Sequence, residues 1–125
     1  MSADSVEPVL AALDEGAESA LRRLCDFLRI PSISTDPAHK DDCRKAAEWC
    51  ATQLNEIGIT AKVHPTQGQP MVLGHAPRAR NDAPDREMNV LFYGHYDVQP
   101  ADPLEEWESP PFEPRFGKDE QDGAI

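Results

Sequence analysis

The sequence predicts an α/β fold in which two N-terminal helices are followed by strands of a mixed central sheet. Two observations indicate this class. Apolar residues recur every three or four positions over residues 5–29 and again over 37–57, which is the period of an amphipathic helix. Alternating and then unbroken apolar stretches follow over residues 59–93, which is typical of strands. With 125 residues the chain is long enough for one domain with a core, and we expect the last strand to be central.

The first helix is predicted over about residues 5–29. Its apolar stripe extends from Val6 to Leu28, and Glu18, Arg22 and Asp26 stand four residues apart on its polar side, where we expect them to form ion pairs. Pro31 then disfavours helical backbone at the residue before it, so we expect the helix to end there.

The second helix is predicted to start near Pro37 or His39, with Thr35 or Asp36 as its cap, and to run to about Ile57. Its expected buried face consists of Ala46, Ala47, Cys50, Ala51, Leu54 and Ile57.

On the polar face of this helix the spacing predicts an ion pair between Asp41 and Lys45. Gly58 follows as a residue that tolerates the left-handed backbone of a helix end.

Three strands are predicted next. "ITAKVHP" at 59–65 alternates apolar and polar residues, and "QPMVLGHAP" at 69–77 forms the following strand. "MNVLFYG" at 88–94 lacks alternation, which is typical of a strand covered on both faces. The Pro-rich and acidic residues from Gln99 onward predict a surface loop with aromatic anchors, entering another strand at Ala124.

The net charge of −11 and the lack of a basic cluster argue against a nucleic-acid partner. No stretch has the apolar length of a membrane span or the pattern of a secretory signal, so neither a membrane partner nor export is expected. Cys25, Cys43 and Cys50 are odd in number and form no CxxC pair, so they are interpreted as small buried residues in a reducing compartment. We therefore expect a cytoplasmic protein.

His95 and Asp97 are the candidate functional residues. In an extended segment alternate side chains share a face, and these two follow the apolar run at its carboxyl end, where α/β folds place functional groups. Neutral imidazole is a good zinc ligand and a carboxylate is its usual partner. By itself the H-x-D pattern is weak evidence for a site, and it favours a structural histidine at a strand end followed by an aspartate that begins a turn.

The stretch "VLFYGHYDVQPADPLEEWESPPFEPRFGKDEQDGAI" resembles the first metal-site segment of a zinc aminoacyl peptidase and deacylase family. That family includes carnosine dipeptidases, succinyl-diaminopimelate desuccinylases, acetylornithine deacetylases and glutamate carboxypeptidases. Its pattern of G-H-x-D-V-x-P, a tryptophan, a PPF segment and a DG pair appears here in the same order. Upstream, "LCDFLRIPSIS" is similar to the opening helix and turn of the family. The match resembles the dipeptidase branch more than the deacylases.

This resemblance implies that His95 is a metal ligand and that Asp97 is the catalytic carboxylate beside it. It also implies two zinc ions in the complete enzyme, with cobalt or manganese as alternatives, a small peptide substrate and a homodimer. The bridging aspartate, the general base and the other ligands of the family have no counterpart in this sequence. Residues 1–125 are therefore expected to be the N-terminal part of a metallopeptidase catalytic domain, without the rest of that domain or a lid or dimerisation domain.

The function implied is that of a zinc-dependent hydrolase that cleaves dipeptides or short peptides with metal-activated water. One histidine cannot supply the three protein ligands of a catalytic zinc, so the chain alone is expected to be inactive. Two alternatives stay open: a deacylase or desuccinylase of N-acyl amino acids, and a non-catalytic fragment whose acidic surface binds a partner.

Overall fold

A computed structural model describes residues 6–77, 90–119 and 123–124 of the chain. Within these residues the elements, in chain order, are α1 (Glu7–Leu28), a 3-10 turn (Pro37–His39), α2 (Lys40–Glu56), β1 (Thr60–His64), β2 (Met71–His75), a second 3-10 turn (Leu104–Glu106), β3 (Lys118–Asp119) and β4 (Gly123–Ala124). The predicted α/β class and the order of two helices before the strands are confirmed.

The contacts divide the described residues into two compact units. One unit comprises the described parts of Met1–Arg29 and Pro103–Ile125, and the other is Ile30–Asp102. None of the helices in the described part of the chain combines the length and apolarity needed to cross a membrane.

The first unit contains α1, whose bounds agree closely with the predicted helix. The expected ion pair between Glu18 and Arg22 is present at 3.2 Å, but Asp26 pairs with Arg29 at 2.7 Å instead of with Arg22. The valine and leucine side chains of the apolar stripe are exposed. The apolar periodicity therefore predicts the helix correctly. It does not predict whether another part of the protein packs on the apolar stripe.

The remainder of this unit lies within Pro103–Ile125, which holds most of the Pro-rich segment predicted from Gln99 onward as a surface loop with aromatic anchors. Phe112 is half-buried, whereas Trp107 is more exposed than an anchoring side chain would be. Arg115 forms an ion pair with Glu108 across the loop. The predicted strand at Ala124 is confirmed, since β4 pairs antiparallel with β3.

The second unit begins with the turn that leads into α2. Asp36 caps this 3-10 turn, because its carboxylate accepts a 2.8 Å hydrogen bond from the backbone N–H of Ala38, whereas the N-cap of α2 itself is His39, which makes no side-chain capping bond. The ion pair predicted between Asp41 and Lys45 is wrong. Lys45 contacts Asp42 at 2.8 Å, because residues three apart are also neighbours on a helix, and Asp41 faces Arg44 at 3.4 Å.

A small core forms where the β1–β2 hairpin packs on α2. The two strands are antiparallel, with Ala61 opposite Gly74. Buried apolar residues of this unit are Ile33, Cys43, Ala46, Ala47, Ala51 and Ala61. Asn55, near the end of α2, joins helix to strand, since its amide both accepts from the N–H of Ala61 (3.1 Å) and donates to its carbonyl (3.0 Å).

The predicted buried face of α2 is correct for its three alanines, while Cys50 and Leu54 are half-buried. Ile57 is 72% exposed, so its predicted burial is wrong. The helix ends at Glu56 and Gly58 takes a φ of +85°, so the chain turns toward β1 and carries Ile57 off the helical stripe. Of the three cysteines, Cys43 is buried as expected and the other two are half-buried, all as free thiols.

The strand predicted over residues 88–94 is not formed in its described part, and residues 88–89 lie outside the described residues. Leu91, Phe92 and Tyr93 belong to no strand and are more than 90% exposed. A strand in the middle of a sheet is hydrogen-bonded to a neighbouring strand along each of its two edges. No described residue forms such a ladder with this segment. The predicted central position of this strand is therefore wrong for the described residues.

Candidate metal-binding site

Two segments that are distant in sequence meet at the candidate site. Ser32 and Ile33 run parallel to residues 96–98, and Ile33 forms an isolated parallel bridge with Val98. The backbone N–H of Val98 donates to the carbonyl of Ser32 at 3.0 Å. The hydroxyl of Ser32, which is only 2% exposed, donates to the carbonyl of Tyr96 at 2.8 Å. Tyr96, which lies between His95 and Asp97, and Val98, which follows Asp97, are thus held by contacts with the buried Ser32.

The loop between β1 and β2 supports the same region. The phenol of Tyr96 donates a 2.6 Å hydrogen bond to the carbonyl of Pro70. Burial raises the pKa of the Tyr96 phenol, with smaller contributions from negative charge nearby, so the group stays protonated as a donor. Gln69 donates through Nε2 to the carbonyl of Ser34 at 3.1 Å.

His95 and Asp97 are in direct contact. The imidazole Nδ1 lies 3.0 Å from the backbone carbonyl oxygen of Asp97 and 3.1 Å from its Oδ1. A carbonyl and an ionised carboxylate can only accept, so Nδ1 must carry the proton. In the neutral ring this leaves the lone pair on Nε2, which is the form of histidine that binds a metal ion.

The Asp97 carboxylate is held ionised. The hydroxyl of Ser34 donates to its Oδ2 at 2.6 Å, a length typical of a bond to a charged oxygen. This bond is the main reason that the pKa of the Asp97 carboxyl lies below its ordinary value; desolvation opposes it, and the hydrogen bond to His95 adds to it. Asp97 therefore remains an acceptor for His95 at neutral pH.

Both side chains are accessible to solvent. The His95 side chain is 75% exposed and that of Asp97 is 40% exposed. The structure thus brings together the two residues that the sequence selected. It adds Ser34, which the sequence indicates only as part of a turn. The "IPSIS" stretch contains this residue, but its partner Asp97 lies 63 residues further along the chain.

The donors present fit part of a metal site. His95 offers Nε2, with Asp97 as its carboxylate partner. Over residues 6–77, 90–119 and 123–124, no three His, Cys, Asp or Glu side chains lie close enough together to hold an ion. Cys43 is not a substitute, because burial raises the pKa of its thiol and the negative charges of Asp97 and Asp42 raise it further. A catalytic zinc requires about three protein ligands, so the described residues supply only part of a set.

The chain is similar to curated dipeptidases over most of its length. It is 31% identical over 111 residues, 89% of the chain, to a cysteinylglycine-S-conjugate dipeptidase of Corynebacterium striatum, and it covers 23% of that protein. It is 29% identical to a Cys-Gly metallodipeptidase of Candida albicans over 93% of the chain and 26% of that protein. A Cys-Gly metallodipeptidase of Saccharomyces cerevisiae is 26% identical, over 86% of the chain and 24% of its own length.

The chain spans about a quarter of the length of these relatives. No protein-family model matches the chain, and no solved structure matches it significantly. The resemblance to the dipeptidase branch that the GHYDVQP and WESPPF segments predicted is confirmed by these relatives.

Proposed function

We propose that this relative of the metallodipeptidases is part of a metal-dependent hydrolase that cleaves dipeptides or short peptides. The observation that carries the proposal is the contact between His95 and Asp97, which places the proton on Nδ1 and leaves Nε2 for a metal ion. The relatives are named as metallodipeptidases, which supports both the metal and the reaction class. Two of them are named for Cys-Gly, so this dipeptide is the first substrate to test.

In this proposal His95 is a ligand of a zinc ion and Asp97 is the carboxylate that orients it. Zinc is favoured because imidazole and carboxylate are among its usual ligands, and cobalt or manganese are the alternatives. A bound ion would polarise the carbonyl group of the substrate and make water a better nucleophile. The chain's own contribution is to fix the ring, to hold the proton on Nδ1 and to keep the carboxylate ionised.

The remaining ligands and the general base are proposed to lie in the part of the protein that corresponds to the other three quarters of the relatives. The 125 residues alone are expected to bind zinc weakly and to hydrolyse no peptide, because one imidazole and one carboxylate do not make a catalytic site. The odd number of cysteines and the lack of a CxxC pair favour a reducing compartment, and we propose a cytoplasmic location.

The test uses the full-length protein and the variant His95→Ala. Hydrolysis of Cys-Gly and the zinc content should both fall to background, whereas His75→Ala, which changes an exposed histidine at the end of β2, should alter neither. Unchanged hydrolysis with normal zinc content in His95→Ala would remove the proposal. A panel of N-acyl amino acids assayed in parallel decides between the peptidase and the deacylase.

A further inference from the structure

We propose that Ser34 is a positioning residue for the metal-binding histidine and that it acts on His95 through the carboxylate of Asp97. The inference rests on the proposed function and extends it to a residue outside the H-x-D pattern. The Ser34 hydroxyl donates to Oδ2 of Asp97 at 2.6 Å, and Oδ1 of the same carboxylate lies 3.1 Å from Nδ1 of His95. A three-residue chain of hydrogen bonds thus ends at the ring that would bind the metal.

The carboxylate needs such a partner because it is not enclosed. Its side chain is 40% exposed, so without a second hydrogen bond it could rotate away from the ring toward water. With Oδ2 engaged by Ser34, Oδ1 stays directed at Nδ1 and, together with the Asp97 carbonyl oxygen 3.0 Å away, keeps the proton there and the lone pair on Nε2. Partners of this kind, which orient a metal-binding histidine, affect metal affinity by about 10- to 100-fold.

Ser34 is itself held in place from two sides. The Nε2 group of Gln69 donates to its carbonyl at 3.1 Å. Two residues earlier, the buried hydroxyl of Ser32 binds the carbonyl of Tyr96, and Ile33 bridges Val98. The Ser34 hydroxyl therefore sits on a fixed backbone and can impose a fixed orientation on the carboxylate, as a mobile surface serine could not.

The first measurement needs neither metal nor activity. The ¹⁵N chemical shifts of the His95 ring, recorded on the metal-free chain at a pH where the ring is neutral, report which nitrogen carries the proton. Ser34→Ala should lower the fraction with the proton on Nδ1, and Ser34→Thr, which keeps the hydroxyl, should restore it. Thr35→Ala, a neighbouring exposed residue, is the matched control and should leave the shifts unchanged.

The second measurement is the affinity of the full-length protein for zinc, obtained by competition with a chelator. Ser34→Ala should raise the Kd for zinc by about 10- to 100-fold, with recovery in Ser34→Thr. If Ser34→Ala does not fold, Ser34→Val replaces it, because valine has the shape of threonine and lacks only the hydroxyl.

The outcomes separate this inference from the proposed function. Unchanged ring shifts and zinc affinity in Ser34→Ala, with zinc lost in His95→Ala, overturn the positioning role and leave the proposed function standing. Zinc retained in His95→Ala overturns both. A changed proton position and weaker zinc binding in Ser34→Ala, both restored by threonine, establish the positioning role.

Discussion

The hydroxyl of Ser32 donates a hydrogen bond of 2.8 Å to the carbonyl oxygen of Tyr96, 64 residues further along the chain. Ser32 is almost fully buried and also accepts from the backbone N–H of Val98. This contact joins the turn after α1 to the segment that carries His95 and Asp97. The candidate site therefore depends on a pairing between two stretches that have no regular secondary structure of their own.

Ser32→Ala should lower the free energy of unfolding of the chain by about 1–2 kcal/mol, because it leaves the Tyr96 carbonyl without its donor. Urea denaturation measures the effect. Ser19→Ala is the control, since the Ser19 hydroxyl accepts from Arg23 on the exposed face of α1 and its loss should change stability by less than about 0.5 kcal/mol. Equal stability of the two variants would show that the Ser32 contact does not hold the segment.

Asp97→Asn should reduce peptide hydrolysis by the full-length protein by about 100-fold, because a neutral amide is a weaker acceptor for His95 and cannot stabilise a charged ring. Folding should be largely retained, since the side chains have the same shape. Steady-state kinetics with Cys-Gly measure the loss. Asp102→Asn changes an exposed aspartate in the same segment of the chain, and this control variant should hydrolyse Cys-Gly at the normal rate. A near-normal rate in Asp97→Asn would remove its catalytic role.

The pH dependence of stability should include a contribution from Asp42. Its hydrogen bond with Lys45 and then that with His39 hold the pKa of its carboxyl below the ordinary value of 3.8. Because the folded pKa is the lower one, the stabilisation is complete above the unfolded pKa and is lost as the pH falls through the folded pKa.

Asp42→Asn should therefore reduce the free energy of unfolding near neutral pH by up to about 1 kcal/mol, and the difference from the parent chain should vanish in acid. Urea denaturation over a series of pH values tests this. Asp41→Asn is matched in position on the first turn of α2, but its direct contact is the longer one of 3.4 Å with Arg44, so it should have a smaller effect. A difference that persists in acid would contradict the assignment.

Gly74 is a position where a side chain does not fit. A Cβ atom added there would lie 2.9 Å from Cγ2 of Ile59 and 3.5 Å from Cδ1 of Leu54. Gly74→Ala should lower the free energy of unfolding by about 1 kcal/mol, because overpacking of about 1–3 kcal/mol exceeds the backbone gain of about 0.4–1 kcal/mol.

Gly16→Ala is the opposite case, since the space around Gly16 in the middle of α1 is open. It should stabilise that helix by about 1 kcal/mol. Thermal unfolding followed by circular dichroism compares the two variants. A gain in stability for Gly74→Ala would show that β2 packs less closely on β1 and α2 than the structure indicates.

Local patterns were sufficient for the helices and for the hairpin. The three- and four-residue spacing located α1, and the alternation of apolar residues located β1. The prediction of a central strand from the apolar run at 88–93 is wrong in its described part. An apolar stretch indicates a preference for burial but does not specify which surface covers it. The prediction of Asp41 as the partner of Lys45 is also wrong. Lys45 pairs with Asp42, since spacings of three and four residues both bring side chains together on a helix.

The sequence by itself determined the two helices, the hairpin and the proximity of His95 to Asp97, because each follows from the direction of side chains a few residues apart in the chain. The resemblance to the dipeptidases was equally available from local motifs. Only the tertiary structure decided that Ser32 and Ser34 join the site, since contacts across 63 or 64 residues require the turn, α2 and the hairpin to bring the segments together. It also decided that Nδ1 of His95 carries the proton, because that depends on which acceptors surround the ring and not on the residue type.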